Sequence, residues 1–358
     1  MKKIAIIGAT GLTGRLTCER LLGQGGGARE FRLVLAGRDR NELERMSIDL
    51  GRRFKQPLDV SVFEFSDRSA LRTLVESSVV AVNCAAPYAI SGAPVLATAV
   101  NGKVCLIDAA SEVGYVEQCA VRAAVVKEAG IAVVNGLAVE PGVAELALAK
   151  AAEGWEAVNS VRVLYVYHDL DETPGFRASV FENLKQPCRA LVERSLQATR
   201  IAAVKHTFKW SGGQMTAKNT PGCEALVIPR GVGGLRNVTT FHSLTGKAGL
   251  IQALLGSPFA SLAMMALDRW ATSKTQRPVS DRSRFVVVVE IEGVKNRRFA
   301  IVQGSGIYQT TANLLASAAV KLAAGERKTS GVLAPSQAFD ASALLEAAGL
   351  EVMIADPA

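Results

Sequence analysis

A chain of 358 residues, 49% hydrophobic and 21% charged, describes an ordered globular protein long enough for two cores, and excludes a disordered or fibrous one. Its formal charge of +8 is spread along the sequence, densest in Arg194–Lys218 and Lys295–Arg298, without a recognition helix, zinc finger or aromatic RNA-binding signature, so nucleic acid is not an expected partner. Six cysteines with no CxxC pair and three dispersed histidines predict reduced thiols in a cytoplasmic protein and no metal site.

In chain order, short apolar runs alternate with helical patterns through the first third, as βαβ units do. Strands are predicted at Lys3–Ile7, Arg32–Ala36, Val60–Phe65, Val79–Cys84, Val104–Asp108 and Ile131–Asn135. Helices are predicted between them at Leu12–Leu22, Arg40–Phe54, Ser69–Val75, Pro94–Asn101 and Tyr115–Ala129. The first strand runs directly into Gly8-Ala9-Thr10-Gly11-Leu12-Thr13-Gly14. A strand that stops at glycines and restarts as a helix makes a phosphate cradle, so Gly8, Thr10, Gly11, Leu12, Thr13 and Gly14 are candidate dinucleotide contacts. The later run Gly23-Gln24-Gly25-Gly26-Gly27 follows a helix rather than a strand and reads as a connection.

Beyond about residue 140 the rhythm changes to an α+β pattern. Ser160–Tyr167 alternates as a half-buried strand, and Phe176–Leu196 reads as a helix interrupted at Pro187. Residues 205–245 are rich in Gly, Thr and short strands, and Arg284–Glu292 with Arg297–Val302 reads as an antiparallel hairpin. Gly249 to Met265 is the most apolar helix candidate, but Gly256, Ser257 and Pro258 interrupt it. It reads as a broken, buried or amphipathic helix; a peripheral lipid contact along Gly249–Trp270 is the lesser alternative, and membrane contact is not expected. Ile307–Ala324 is again a helix, followed by a short one around Ser342–Ala348.

The second strand ends Leu35-Ala36-Gly37-Arg38, with no carboxylate before Asp39. A guanidinium there suits a 2′-phosphate, which a carboxylate would repel, so NADP is expected over NAD; the local alternative is that Arg38 merely begins a solvated helix. Ser66 and Asp67 follow the third strand, where Asp67 is either an adenine contact or the cap of the next helix. Ala85, Ala86 and Pro87 after the fourth strand are small enough to admit a nicotinamide ribose, and Tyr88 is a candidate proton donor. Glu112, in the loop Asp108-Ala109-Ala110-Ser111-Glu112, and Glu140, in the passage Asn135 to Gly142, are the other two candidates. The favoured local reading of Asp108 or Glu112 is a cap of the helix that follows, and Pro141 reads also as an ordinary helix start. No Tyr-x-x-x-Lys pair follows any tyrosine, which argues against the short-chain dehydrogenases, and neither Gly-x-Ser-x-Gly nor His-Glu-x-x-His occurs.

Several of these segments, in order and spacing, resemble the saccharopine dehydrogenase-like NADP-binding oxidoreductases, a group that includes saccharopine reductases and trans-acting enoyl reductases. They are GATGLTG at Gly8–Gly14, LAGR at Leu35–Arg38, NCAAPY at Asn83–Tyr88, Gly92-Ala93-Pro94-Val95 and the Asp108…Ser111-Glu112 loop. Thr173-Pro174-Gly175, Tyr308-Gln309-Thr310-Thr311-Ala312 and Gly331-Val332-Leu333-Ala334-Pro335 complete the set. The resemblance implies an α/β fold with NADP(H) as cofactor: a Rossmann doubly wound parallel sheet over 1–140, an inserted α+β substrate and dimerisation domain over 141–304, and a C-terminal segment, 305–358, whose helix returns to the first domain. Where enoyl-reductase-like members carry a GFDS-Pro-type segment, this chain has Gly136-Leu137-Ala138-Val139-Glu140-Pro141, which leaves the substrate and the bond reduced open. The expected activity is NADPH-dependent hydride transfer to a C=N or C=C bond of an amino-acid-derived or acyl small molecule. The rival reading is a non-catalytic NADP-binding redox sensor or interaction protein. A homodimer through an exposed sheet edge is expected of the second domain.

Overall fold

The computed structural model describes residues 1–23, 31–243, 246–273 and 282–358, apart from the side chains of 246–248. The glycine run that begins at Gly23 lies outside the described residues from Gln24 onward.

Six strands, β1 (Lys2–Ile7), β2 (Phe31–Gly37), β3 (Asp59–Val62), β4 (Val80–Asn83), β5 (Cys105–Asp108) and β6 (Ala132–Val134), pair in parallel in the order β6-β5-β4-β1-β2-β3. Helices α1 (Leu12–Gly23), α2 (Arg40–Phe54), α3 (Arg68–Glu76), α4 (Tyr88–Gly102), α5 (Val113–Val121) and α6 (Ala123–Glu128) fill the crossovers. This is the doubly wound order, and its reversal between β1 and β4 opens a crevice at the carboxyl ends of those strands. Helices cover both faces, so Ile4-Ala5-Ile6-Ile7 is an unbroken apolar run with every side chain buried. Two predicted helices differ from the observed ones. α4 starts at Tyr88 rather than Pro94, with Pro87 at its N-cap, and Tyr115–Ala129 is broken at Arg122 between α5 and α6.

A single turn, Val139–Val143, leads into α7 (Ala144–Ala151) and the second domain. It continues through β7 (Val158–His168), α8 (Pro174–Leu184), β8 (Cys188–Val192), β9 (Ser195–Thr199), β10 (Lys205–Trp210), β11 (Gly213–Asn219), α9 (Glu224–Gly231) and β12 (Asn237–Ser243). The helices α10 (Gly246–Leu255) and α11 (Ala260–Ala271) and the hairpin β13 (Arg284–Gly293) and β14 (Arg297–Ser305) follow. The helix expected over Phe176–Leu196 therefore ends at Leu184. Beyond Pro187 the chain forms the hairpin β8–β9, turned by Glu193 and Arg194 at φ 47° and 68°. Two successive positive φ angles give the turn that matches strand twist, and pairing of Val238 in β12 with Leu191 overrides local helix propensity. Helix α9 has no counterpart among the sequence expectations.

The C-terminal stretch divides between the domains. Helix α12 (Ile307–Ala324) packs against α1, β4 and β5, and β15 (Gly331–Leu333) extends the parallel sheet beside β6. After α13 (Pro335–Ala338) and α14 (Ala341–Ala347), β16 (Met353–Ala355) instead pairs with β14 in the second sheet. There Ser211 N donates to Asp356 O at 2.9 Å, so the order β10-β11-β12-β7-β13-β14-β16 closes on itself. Among the described residues this leaves the short β9 as an outlying edge, and the main edge expected to carry a dimer is already paired within the chain. Strand alternation then separates two cores: Leu164, Val166, Phe208, Phe241, Val288 and Phe299 fill the ring, while Val163, Tyr165, Val287 and Val289 face the helices and the first domain.

One buried carboxylate ties this arrangement to the C-terminal segment. Glu145 in α7 is fully buried and accepts from Ser336 N at 3.0 Å and from Ser336 Oγ. Burial, opposed by those bonds, raises its pKa from 4.5 to about 7. The folded protein thus holds this proton until about pH 7 while the unfolded chain releases it near 4.5, so stability falls as pH rises through that window. The loss is on the order of 3 kcal/mol. Glu145→Gln is expected to flatten the decline; urea unfolding of both proteins at pH 5 and pH 8 checks it, and parallel pH dependences would show that Glu145 is not its source.

Candidate active site

The glycine motif is required by close approach. Gly8 sits at φ +80°, and a Cβ there would lie 2.8 Å from Ala85 N in the loop after β4. A Cβ on Gly14 would lie 2.2 Å from Gly8 O, so α1 packs directly on the turn. α1 begins at Leu12 with no acidic residue in its first turn, which leaves its positive end to an anion outside the chain. The cradle formed by Gly8, Thr10, Gly11, Leu12, Thr13 and Gly14 therefore fits a pyrophosphate. Arg38 is exposed just beyond β2 and, among the described residues, enters no ion pair. Its neighbours are committed: Asp39 caps α2 by accepting from Glu42 N at 3.0 Å, and Arg40 pairs with Glu44 at 3.3 Å. Ser66 is exposed after β3, and Asp67 caps α3 by accepting from Ala70 N at 3.0 Å. Of its two sequence readings, the cap is the one visible in the fold.

The loop Ala85-Ala86-Pro87 is held from beneath by the buried Asn83, whose Oδ1 accepts from Ala85 N at 3.1 Å. Tyr88 is only 5% exposed. Its hydroxyl donates to Asn83 O at 3.1 Å and accepts from Ala109 N at 3.2 Å, stitching the ends of β4 and β5 together. Burial, reinforced by the nearby Asp108 carboxylate, pushes its pKa well up. The candidate proton donor Tyr88 thus spends its hydroxyl on the scaffold and does not offer it to the crevice. Glu112 does not bond the start of its own helix α5 either. Its Oε1 accepts from Tyr88 N at 2.8 Å and Ser179 Oγ at 2.6 Å, and its Oε2 from Ala89 N at 2.7 Å. It caps α4 and at the same time latches α8 of the second domain. The start of α5 is capped by Asn183 of α8, whose Oδ1 accepts from Val113 N at 2.9 Å. α8 therefore roofs the crevice, and a Cβ on its Gly175 would lie 3.4 Å from Ala86 Cβ.

Glu140 reaches the other way. Gly136, at φ +70°, is backed by Pro141, and a Cβ on Gly142 would lie 2.6 Å from Gly136 O. This tight fold turns the chain at the carboxyl end of β6 and aims Glu140 at the second sheet. There its Oε1 accepts from Tyr167 OH and bonds His242 Nε2 at 2.9 Å. His242 Nδ1 in turn bonds Thr220 Oγ1 at 2.5 Å. Beside them Glu224 accepts from Tyr165 OH at 2.8 Å and Thr240 Oγ1 at 2.7 Å. Burial disfavours charge on both members of the Glu140–His242 pair, but their mutual attraction outweighs it: the Glu140 pKa falls below 4.5 and the His242 pKa rises above 6.5. For Glu224, burial followed by repulsion from Glu140 raises the pKa. The cluster is a histidine–carboxylate pair, each partner favouring the other's charged form, with tyrosines and a second carboxyl around it.

No protein-family model and no curated protein sequence matches this chain. Among solved structures, apo saccharopine dehydrogenase (L-Glu forming) from Saccharomyces cerevisiae matches over 99% of both chains with a TM-score of 0.65 at 13% identity. The fold is saccharopine dehydrogenase-like. GenD2 from gentamicin A biosynthesis, in complex with NAD, matches 98% of this chain and 96% of its own at TM-score 0.42 and 14% identity. A dehydrogenase from Clostridium difficile matches 96% and 97% at TM-score 0.42 and 8% identity.

Within this saccharopine dehydrogenase-like frame, Glu140 is the sequence candidate that meets other titratable groups at the domain junction; Tyr88 and Glu112 are built into the scaffold around Asn83 and α4. Tyr167, His242 and Thr220 were missed by sequence reasoning. His242 faces the site only because Tyr165 and His242 are register partners on the parallel pair β7–β12, which no local pattern discloses. The signal that was present is the spacing Tyr165-x-Tyr167, which puts both rings on one strand face. If Glu140 holds the His242 proton, His242 should titrate above 6.5 in the native protein and below 6.5 in Glu140→Gln, where burial acts without the opposing charge. NMR titration of the imidazole protons checks this, and an unchanged midpoint would disprove the coupling.

Proposed function

We propose that the protein is an NADPH-dependent oxidoreductase that delivers hydride to a C=N or C=C bond of an amino-acid-derived or acyl substrate held in the interdomain crevice. The observation that carries this reading is the Glu140–His242 pair, which stands on the same carboxyl edge of the parallel sheet as the glycine cradle. β6 and β4 are separated by β5 alone, so Glu140 and the Ala85–Pro87 loop spring from strands about 10 Å apart, room for one substrate between them. When bound, the nicotinamide would supply the hydride.

The chain's own residues divide the remaining work. Gly8, Ala9 and Gly11 spend their N–H groups on Ala36 O and Gly8 O. Those of Thr10, Leu12, Thr13 and Gly14 at the start of α1 would therefore bind the pyrophosphate, Arg38 would pair with the 2′-phosphate, and Ser66 and Asp67 would border the adenine. Ala85, Ala86 and Pro87 leave space for the nicotinamide ribose, and α8 excludes water from above. Glu140, held ionised by His242 and Tyr167, faces substrate through Oε2, which makes no hydrogen bond among the described residues. This arrangement favours C=N over C=C. A protonated imine is drawn to an anionic carboxylate and needs no further proton once hydride has added, whereas an enoyl acceptor needs carbon protonation from a group other than an ionised acid. His242 keeps Glu140 in the charged form throughout, so that the carboxylate holds the iminium without exchanging a proton with it.

Replacing Arg38 with Asp should weaken NADPH roughly 10- to 100-fold, as expected for loss of a charge-assisted contact, and leave NADH within a few-fold. Glu140→Gln should retain NADPH affinity and lose about two orders of magnitude or more in imine reduction. Fluorescence titration with both cofactors and a turnover assay on an imine and enoyl panel measure these effects. Equal loss of both cofactors in the Arg38 variant would reject the 2′-phosphate role, and full turnover in Glu140→Gln would reject the site.

A further inference from the structure

The helix pair α10–α11 exposes Leu250, Leu254, Phe259, Leu262 and Met265, at 63%, 36%, 61%, 63% and 61%. Leu250 and Leu254 share a face of α10, and Leu262 and Met265 share one on α11, with Phe259 at the break between them. Scattered single hydrophobic residues on a surface call for no explanation, but five large ones within sixteen residues, on two helices packed together, concentrate apolar surface on one part of the fold. From Gly246 through Leu267 the sequence holds no carboxylate. Around this face stand Arg200, Lys205, Lys218 and Arg269, none of which enters an ion pair among the described residues. Their placement follows from the backbone: Gln252 Nε2 donates to Lys218 O at 3.4 Å, and a Cβ on Gly256 would lie 2.9 Å from Ile201 O. Asp268 is the one acidic residue on the two helices.

We propose that α10–α11 is the seat by which this protein docks on an anionic lipid surface, with the five apolar side chains dipping among the acyl chains and the four cations meeting the headgroups. No helix among the described residues is long and apolar enough to cross a membrane, so the pair lies on the surface rather than spanning it. Charge decides the occupant. Two copies meeting isologously through this face would bring the same unpaired cations against each other, while anionic headgroups complement them. The seat is also tied to the crevice. α11 packs on α8, Trp270 Nε1 donates to Glu172 Oε2 at 2.9 Å, and Arg177 donates to Ser273 O at 2.7 Å. The roof helix over the Ala85–Pro87 loop is thereby carried next to the lipid. This proposal does not depend on the oxidoreductase reading.

The test is flotation of the full-length protein with phosphatidylcholine vesicles, with and without about 30% phosphatidylglycerol. The native protein should float with the anionic vesicles, less with the neutral ones, and less again as salt is raised. The double variant Phe259→Glu/Leu262→Glu should lose at least tenfold in partitioning. Arg200→Glu/Lys205→Glu should lose the preference for anionic lipid. Circular dichroism and melting curves matching the native protein establish that both variants are folded. Absence of native binding to either vesicle would overturn the proposal, as would unchanged binding by the Phe259/Leu262 variant. A native dimer that this variant converts to monomer in light scattering would overturn it too, by assigning the face to a second copy.

Discussion

A carboxylate taken out of water must find compensation, and in this protein the Glu140 side chain finds it across a domain boundary. The turn from Gly136 to Gly142 leaves the carboxyl end of β6 so tightly that Glu140 can only project toward the second sheet. There Tyr167 and His242 satisfy the same oxygen. Losing either partner would leave a half-buried carboxylate short of a donor, so the contact helps hold the two sheets in relation to each other across the crevice. The placement of α8 above, of α12 between the sheets and of the glycine cradle opposite all refer to that junction.

Scaffold and site use similar groups for different ends. Asp108 is fully buried and accepts from Ala110 N, Gly136 N, Asn135 Nδ2 and Tyr115 OH, holding the ends of β5 and β6 side by side. Glu112 does the same for the start of α4 and for α8. In both, the donors are mainly fixed backbone N–H groups and neutral side chains, which hold a carboxylate still. Glu140 instead has a titratable imidazole as partner, so its charge and its proton are coupled to a second group. That difference in partners separates a candidate catalytic carboxylate from two structural ones that look alike in the sequence.

The outer surface of the second domain carries a separate logic. The sheet that begins as an open α+β layer closes through its own C-terminal strand, so the pleat period puts one set of side chains inside the ring and the other against the helices. With the main edge paired, the exposed apolar material concentrates on α10–α11 instead, and that helix pair hangs from α8. The proposed surface attachment and the roof of the crevice thus meet where α11 packs on α8.

By itself the sequence determined what depends on neighbours along the chain. Apolar runs five or six residues long, separated by helical periods, prescribed β1 to β6 and their parallel pairing. Gly8 and Gly14 announced the cradle, because a turn and a close helix approach are local requirements that only glycine meets. Asp67 could be read as a cap, one of two alternatives, because capping is also a local requirement. Only the tertiary structure decided what depends on pairing across distance. It turned the residues after Pro187 into a hairpin, because β12 offers hydrogen bonds that no local propensity can match. It withdrew Tyr88 and Glu112 into the scaffold, because helix ends and strand ends nearby needed their polar atoms. It brought His242, about a hundred residues away, to Glu140, because register on β7 and β12 fixes which face each side chain takes, and a single residue's slip would send it to the other side.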